Sequence, residues 1–210
     1  MKMQTPIEGL YAIADSKWNP YVTLAELTDK FLRGGCKIVQ LRMKGAPKDE
    51  VLKNAAAISE LKNKYDFVFV INDHADVAKE VGADGVHVGE YDEPVSNIKD
   101  KYGDELIVGY SSHSIDEAIA ASRGGADYVA FGAIFQTKTK GPGHPVQGIR
   151  KLETLVDAVE KPVIAIGGID RTNIEDVLRT GVSSVAMISA LSEAEDIVSE
   201  IEYFSEYFLK

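Results

Sequence analysis

The chain has 210 residues, 45% of them hydrophobic and 27% charged, enough for one large domain with a single core. Its 33 acidic against 23 basic residues leave a formal charge of −10, which opposes sequence-independent binding to nucleic acid or anionic membranes and requires any anionic ligand to be met by a local cluster of cations. The one cysteine, Cys36, excludes an intramolecular disulfide, and no signal-peptide h-region or long apolar span occurs, so the expectation is a soluble, reduced, cytoplasmic protein.

Eight short apolar runs follow one another along the chain: GLYAIAD from Gly9, KIVQLRM from Lys37, FVFVIND from Phe67, GVHVG from Gly85, LIVGYSS from Leu106, YVAFGAIF from Tyr128, PVIAIGG from Pro162 and SVAMIS from Ser184. Each is nearly continuous in hydrophobicity, the mark of a parallel strand covered on both faces, and each precedes a segment of helical period such as VTLAELTDKFLRGG or SIDEAIAASRGG. Gly35, Gly82, Gly125 and Gly181 stand where helices should stop. The tail AEDIVSEIEYFSEYFLK reads as a last amphipathic helix. Eight β-then-α units without a linker or change of composition predict an α/β fold, a single (β/α)8 TIM barrel forming one catalytic domain over residues 1–210. An open doubly wound sheet is the alternative, and no G-x-G-x-x-G follows any strand to support it.

Active sites of such barrels lie at the C-terminal ends of the strands. Strand 1 ends in Asp15, strand 2 in Gln40, Arg42 and Lys44, strand 3 in Asn72 and Asp73, and strand 4 in Gly89, Glu90 and Asp92. Strand 5 ends in Ser111, Ser112 and His113, strand 6 in Thr137, Thr139 and Lys140, and strands 7 and 8 in GGI and ISA. Asp73 and Asp92 are candidate Mg²⁺ ligands, completed by substrate phosphate oxygens; the competing reading makes Asp73 a helix cap and Asp92 a turn residue before Pro94. Arg42, Lys44 and Lys140 are the cations for a phosphorylated ligand, whereas alternation turns Lys138 away toward solvent. Gly167, Gly168 and the amides near Ile188 and Ser189 suit a phosphate monoester, or a tight turn that needs glycine for its backbone alone.

None of His74, His87, His113 and His144 has metal-ligand spacing; His87 and His113 are expected to line the pocket. Cys36 reads as a small buried residue, and Ser111 lies outside any nucleophile-elbow motif. The segment GPGHP after Lys140 is expected to be a loop that closes over bound ligands.

The segments VQLRMK, INDHADVAKEVGADGVHVGEYDEP, VGYSSHS, ADYVAFGAIFQTKTK, IAIGGI and VAMISAL, in this order, resemble thiamine phosphate synthase over nearly the whole chain. The resemblance implies a transferase that joins hydroxymethylpyrimidine diphosphate to thiazole phosphate and releases pyrophosphate, with Mg²⁺ held by Asp73 and Asp92. It implies that Arg42, Lys44, Asn72, Ser111 and Lys140 surround the pyrophosphate, with Gln40 on the aminopyrimidine. Thr137, Thr139 and the amides of Gly168, Ile188 and Ser189 would receive the thiazole phosphate. Its partners would be these small molecules, with no nucleic acid and no membrane. The sequence departs from the family's usual pattern at Met43 (Glu), His74 (Arg), Glu90 (Gln) and Gln136 (Pro). The competing readings are a thiazole tautomerase, for which Ala133 stands where a histidine is expected, another sugar-phosphate barrel, and a non-catalytic relative.

Overall fold

The computed structural model describes residues 7–139 and 145–209. Its strands are β1 (Gly9–Asp15), β2 (Ile38–Arg42), β3 (Val68–Asn72), β4 (Gly85–Val88), β5 (Ile107–Ser112), β6 (Tyr128–Gly132), β7 (Val163–Ile166) and β8 (Ser184–Met187). They close in chain order into a parallel barrel, one strand from each expected run. The interleaved helices are α1 (Leu24–Arg33), α2 (Lys48–Ser59), α3 (Ala75–Glu80), α4 (Val95–Tyr102), α5 (Ile115–Arg123), α6 (Ile149–Ala158), α7 (Ile174–Leu178), α8 (Ser189–Ser192) and α9 (Ile197–Ser205). β6 is shorter than the run YVAFGAIF: strand geometry stops at Gly132, a cis peptide bond joins Gly132 to Ala133, and the amides of Ile134 and Phe135 then bond the carbonyls of Ile166 and Gly167.

By packing, the chain divides into two compact units. One comprises Gly9–Val86 with the chain from Met187 onward. Every residue of β1 is buried, as a strand covered on both faces requires, and Leu27, Phe31, Ile58 and Phe69 form the core around it. Helix α1 starts at a capping box in which Thr23 and Glu26 bond each other's amides. It ends in a Schellman turn, Cys36 N to Phe31 O and Gly35 N to Leu32 O, for which Gly35 supplies a φ of 94°. Gly34 must be bare for a separate reason: a Cβ there would lie 2.6 Å from the Cβ of Ile201 on α9.

The other unit is built around His87–Ala186, where β5 to β8 pair in register and Tyr128, Phe131, Leu152 and Leu155 are fully buried. Gly109 opposes Tyr128 across β5 and β6, and a Cβ on it would sit 2.0 Å from the phenol ring carbon Cζ. The Tyr128 side chain therefore occupies the space that Gly109 leaves.

The same bracing device recurs once in each unit. Asp84, just before β4, accepts from Phe69 N and Lys62 Nζ, both at 2.6 Å. Asp127, just before β6, accepts from Val108 N at 2.7 Å and Lys99 Nζ at 2.6 Å. These carboxylates lie at the N-terminal ends of strands, away from the candidate site residues, and tie each strand to its predecessor.

Candidate active site

In the unit holding β1 to β3, Asp15, Gln40, Arg42, Lys44 and Asp73 each have a side-chain partner, while Asn72 closes β3 half-buried. Asp15 is 1% exposed; its Oδ1 accepts from Lys17 N at 2.9 Å and its Oδ2 from Arg42 Nη1, its register partner on β2. Two charge-assisted bonds satisfy a carboxylate that burial alone would make costly. Gln40, 2% exposed, donates from Nε2 to the Tyr11 hydroxyl at 2.8 Å. Lys44 Nζ reaches Asp73 Oδ2 at 2.8 Å, with the lysine side chain 48% exposed and the aspartate 18%. Met43, between Arg42 and Lys44 in the chain, is buried, as strand alternation expects.

The reading of Asp73 as a helix cap does not hold. The N-cap of α3 is His74, which makes no side-chain capping bond. Asp73 instead adopts φ 67°, the one non-glycine residue with positive φ among the described residues, and His74 N turns back to Asn72 O at 2.9 Å. A left-handed conformation costs a non-glycine residue about 1 kcal/mol or more, and such cost is retained where the surroundings hold it. Here it lifts the carboxylate off the helix start and toward the ammonium of Lys44.

The unit around His87–Ala186 gathers Ser111, His87, Gly89 and Asp92. His87, 7% exposed, places Nε2 2.8 Å from Ser111 Oγ and Nδ1 3.0 Å from the Tyr128 hydroxyl, with the imidazole stacked on the phenol at 5.5 Å. Asp92 Oδ2 accepts from Gly89 N at 2.9 Å, so it does hold a turn. A Cβ on Gly89 would lie 3.5 Å from that oxygen and 3.8 Å from Ser111 Cβ, which sets serine and aspartate on either side of one bare glycine. Tyr110 shows the negative field here: burial, then the Glu117 carboxylate, with further pushes from Glu90 and Asp92, raise its phenol to about 12. His113, half-buried, has its amide donating to Glu117 Oε2 at 2.7 Å and its Nδ1 lying 3.2 Å from Gly132 O.

The ends of β6 and β7 are fastened together. Cβ atoms on Gly167 and Gly168 would lie 2.6 Å from Ala133 Cβ and 2.4 Å from Gln136 O, at φ values of 101° and 69° that favour glycine in any case. Thr139 N donates to Thr137 Oγ1 at 3.2 Å, and the two hydroxyls are 3.3 Å apart; both threonines are partly buried and Lys138 is exposed. Asn173 braces the next turn, receiving Asp170 N on Oδ1 and donating from Nδ2 to Gly168 O at 3.0 Å. After β8, Ile188 is the N-cap of α8 and Ser189 its first residue, whose amide has no acceptor within the helix. Lys140 and residues 141–144, which make up GPGHP up to and including His144, lie outside the described residues.

Sequence reasoning missed the partners more than the residues. Asp15 was visible only as a polar strand end, and nothing in the linear pattern pairs it with Arg42, Tyr11 with Gln40, Tyr128 with His87, or Asn173 with Gly168. Each link spans strands or a turn, and only the register brings it together.

A family model described as thiamine monophosphate synthase matches residues 10–191. The chain belongs to that family. It is 40% identical over 196 residues to the thiamine-phosphate synthase of Halalkalibacterium halodurans, covering 93% of each chain, and 40% identical over 188 residues to that of Pyrococcus furiosus, covering 90% of this chain and 88% of the relative. The solved thiamine phosphate pyrophosphorylase of Pyrococcus furiosus superimposes with a TM-score of 0.87 at 36% identity, covering 96% and 97% of the two chains. Within the thiamine monophosphate synthase family this member's Glu90 is exposed, and its Ala133 is 3% exposed. The tautomerase reading therefore has no ionisable side chain at that position.

Proposed function

We propose that the chain is a thiamine-phosphate synthase, a transferase that joins hydroxymethylpyrimidine diphosphate to thiazole phosphate with release of pyrophosphate. The observation that carries the reading is the Lys44–Asp73 pair: an aspartate that does not cap its helix, held at φ 67°, beside an exposed ammonium.

In this reading the C–O bond to the diphosphate breaks as the aminopyrimidine pushes electrons toward its methylene carbon. The pyrophosphate leaves with the bonding pair, and the thiazole nitrogen captures the carbon. Such a reaction needs no protein nucleophile; it needs neutralised leaving-group charge, aligned substrates and exclusion of water. Arg42, Lys44, Asn72, Ser111 and Lys140 surround the pyrophosphate, and the bond to Asp15 fixes the direction of the Arg42 guanidinium. Gln40, steadied by Tyr11, holds the aminopyrimidine. Thr137, Thr139 and the amides of Gly168, Ile188 and Ser189 take the thiazole phosphate, and the bare Gly168 lets the chain that carries the two threonines pack against the end of β7.

Asp73 and Asp92 would hold Mg²⁺. Both are hard oxygen donors. Among the described residues no cluster of three or more His, Cys, Asp or Glu offers a cation cage, so a cation here would take its remaining oxygens from substrate and water, the habit of Mg²⁺. Bound there, the ion would offset charge on the departing pyrophosphate. The substrates are small soluble phosphates, and among the described residues no helix is long and apolar enough to cross a membrane. We place the protein in the cytoplasm as one catalytic domain.

The test is a product assay with both substrates and Mg²⁺, oxidising any thiamine phosphate to its fluorescent thiochrome, beside an EDTA control. Product that disappears with EDTA supports the reading. No product from folded protein and verified substrates overturns it and turns attention to thiazole isomerisation.

A further inference from the structure

Ser111 is the one candidate contact of the pyrophosphate whose own hydroxyl is held by a buried side chain. Its Oγ meets His87 Nε2 at 2.8 Å, and His87 Nδ1 meets the Tyr128 hydroxyl at 3.0 Å. The phenol cannot swing away easily. Tyr128 is fully buried, its ring stacks on the imidazole, and it fills the space left by Gly109, where even a methyl group would collide at 2.0 Å. The result is a file of three hydrogen-bonding groups running from the core to the end of β5.

A neutral imidazole carries one proton, so the file can be polarised in two ways. In one, the Tyr128 O–H donates to Nδ1, Nε2–H donates to Ser111 Oγ, and the serine proton is left for a ligand. In the other, Ser111 donates inward to Nε2 and presents only lone pairs outward. Those lone pairs repel a phosphate oxygen, whereas the outward proton donates to it in a charge-assisted bond.

We propose that His87, fixed by Tyr128, is a positioning residue that turns the hydroxyl proton of Ser111 toward an anionic ligand. This rests on the reading that Ser111 contacts the pyrophosphate. His87 itself touches no substrate atom in the proposal. It selects which end of the serine hydroxyl the ligand meets, and no proton is transferred.

The experiment has two arms. The first is nitrogen-15 NMR of the imidazole side chains in the full chain, with and without inorganic pyrophosphate and Mg²⁺, His87 being assigned by its loss in His87→Gln. Nε2 of His87 is expected to carry the proton in the pyrophosphate complex; an unprotonated Nε2 there overturns the proposal. The second is a kinetic cycle between Ser111→Ala and Tyr128→Phe. Each single change is expected to lower kcat by about tenfold, the worth of one hydrogen bond to a charged group, while Tyr128→Phe has no further effect once Ser111 is alanine. His87→Gln, whose amide reaches as far as Nε2, is expected to keep more activity than His87→Asn, whose amide reaches only to the position of Nδ1.

Multiplying effects in the cycle, with product formed normally by the parent, sink the positioning role and leave the synthase reading intact. Full turnover in Ser111→Ala removes the need for an oriented hydroxyl and overturns the proposal. If the parent makes no thiamine phosphate yet Nε2 of His87 carries the proton in the pyrophosphate complex, the positioning role stands and the synthase reading falls.

Discussion

Asp15 and Arg42 form the last register pair of β1 and β2, and the guanidinium is anchored on a carboxylate that is 1% exposed. The anchor gives Arg42 a direction at a modest cost in net charge, since part of the cation is offset before any ligand arrives. Asp15→Ala should therefore raise KM for the pyrimidine diphosphate as well as destabilise the fold. Removing one partner of a largely buried pair costs about 2 kcal/mol when the other stays partly solvated. Urea unfolding and steady-state kinetics check both. Unchanged kinetics beside lost stability would assign Asp15 to the fold alone.

Asp73 sets stability against activity. At φ 67° a glycine is at ease where aspartate is strained, and the pair with Lys44 is exposed enough to be worth little. Asp73→Gly is expected to be at least as stable as the parent, gaining up to about 1 kcal/mol, while losing about two orders of magnitude in turnover, as for removal of one electrostatic contact to a transition state. A variant both stable and fully active would remove Asp73 from the site.

Asp127 makes the opposite case. It holds Val108 N and Lys99 Nζ at the N-terminal end of β6, far along the strand from the candidate catalytic groups. Asp127→Ala leaves the Val108 amide without its carboxylate and should cost about 1–3 kcal/mol of stability, with kcat unchanged in the folded protein. A selective fall in kcat at full folding is the result that does not fit.

Cys36 should be chemically silent until the chain unfolds. Burial, against weaker help from hydrogen bonds, raises its thiol from 9.0 to about 11, and its sulfur lies between the carbonyls of Ile38 at 3.2 Å and Leu10 at 3.3 Å. Because the folded pKa exceeds the unfolded one, the folded state holds this proton more tightly; the contribution is complete below about pH 9 and is lost as pH rises toward 11. Cys36→Ala should flatten that part of the alkaline stability profile. A disulfide exchange reagent at pH 8 should react with the parent only in denaturant.

The barrel was legible because its signal is local and repeated. Parallel strands sheathed on both sides must be apolar throughout, and helix stops must supply a left-handed residue, so GLYAIAD, FVFVIND and the glycines after α1, α3 and α5 announced the units directly. The end of β6 was not legible in the same way: YVAFGAIF is apolar to its last residue, but the chain leaves the strand at Gly132.

Which side chains stand at the strand ends follows from local composition, because strand phase and the β-then-α order place them. What each one meets follows only from the folded barrel. Asp15 finds Arg42, Lys44 finds Asp73, and Ser111 finds His87 backed by Tyr128 through pairings 27, 29, 24 and 41 residues apart in the chain. Hydrophobic pattern is a property of neighbours in sequence, whereas the direction of a hydrogen bond depends on the register between strands, and that exists only once the barrel has formed.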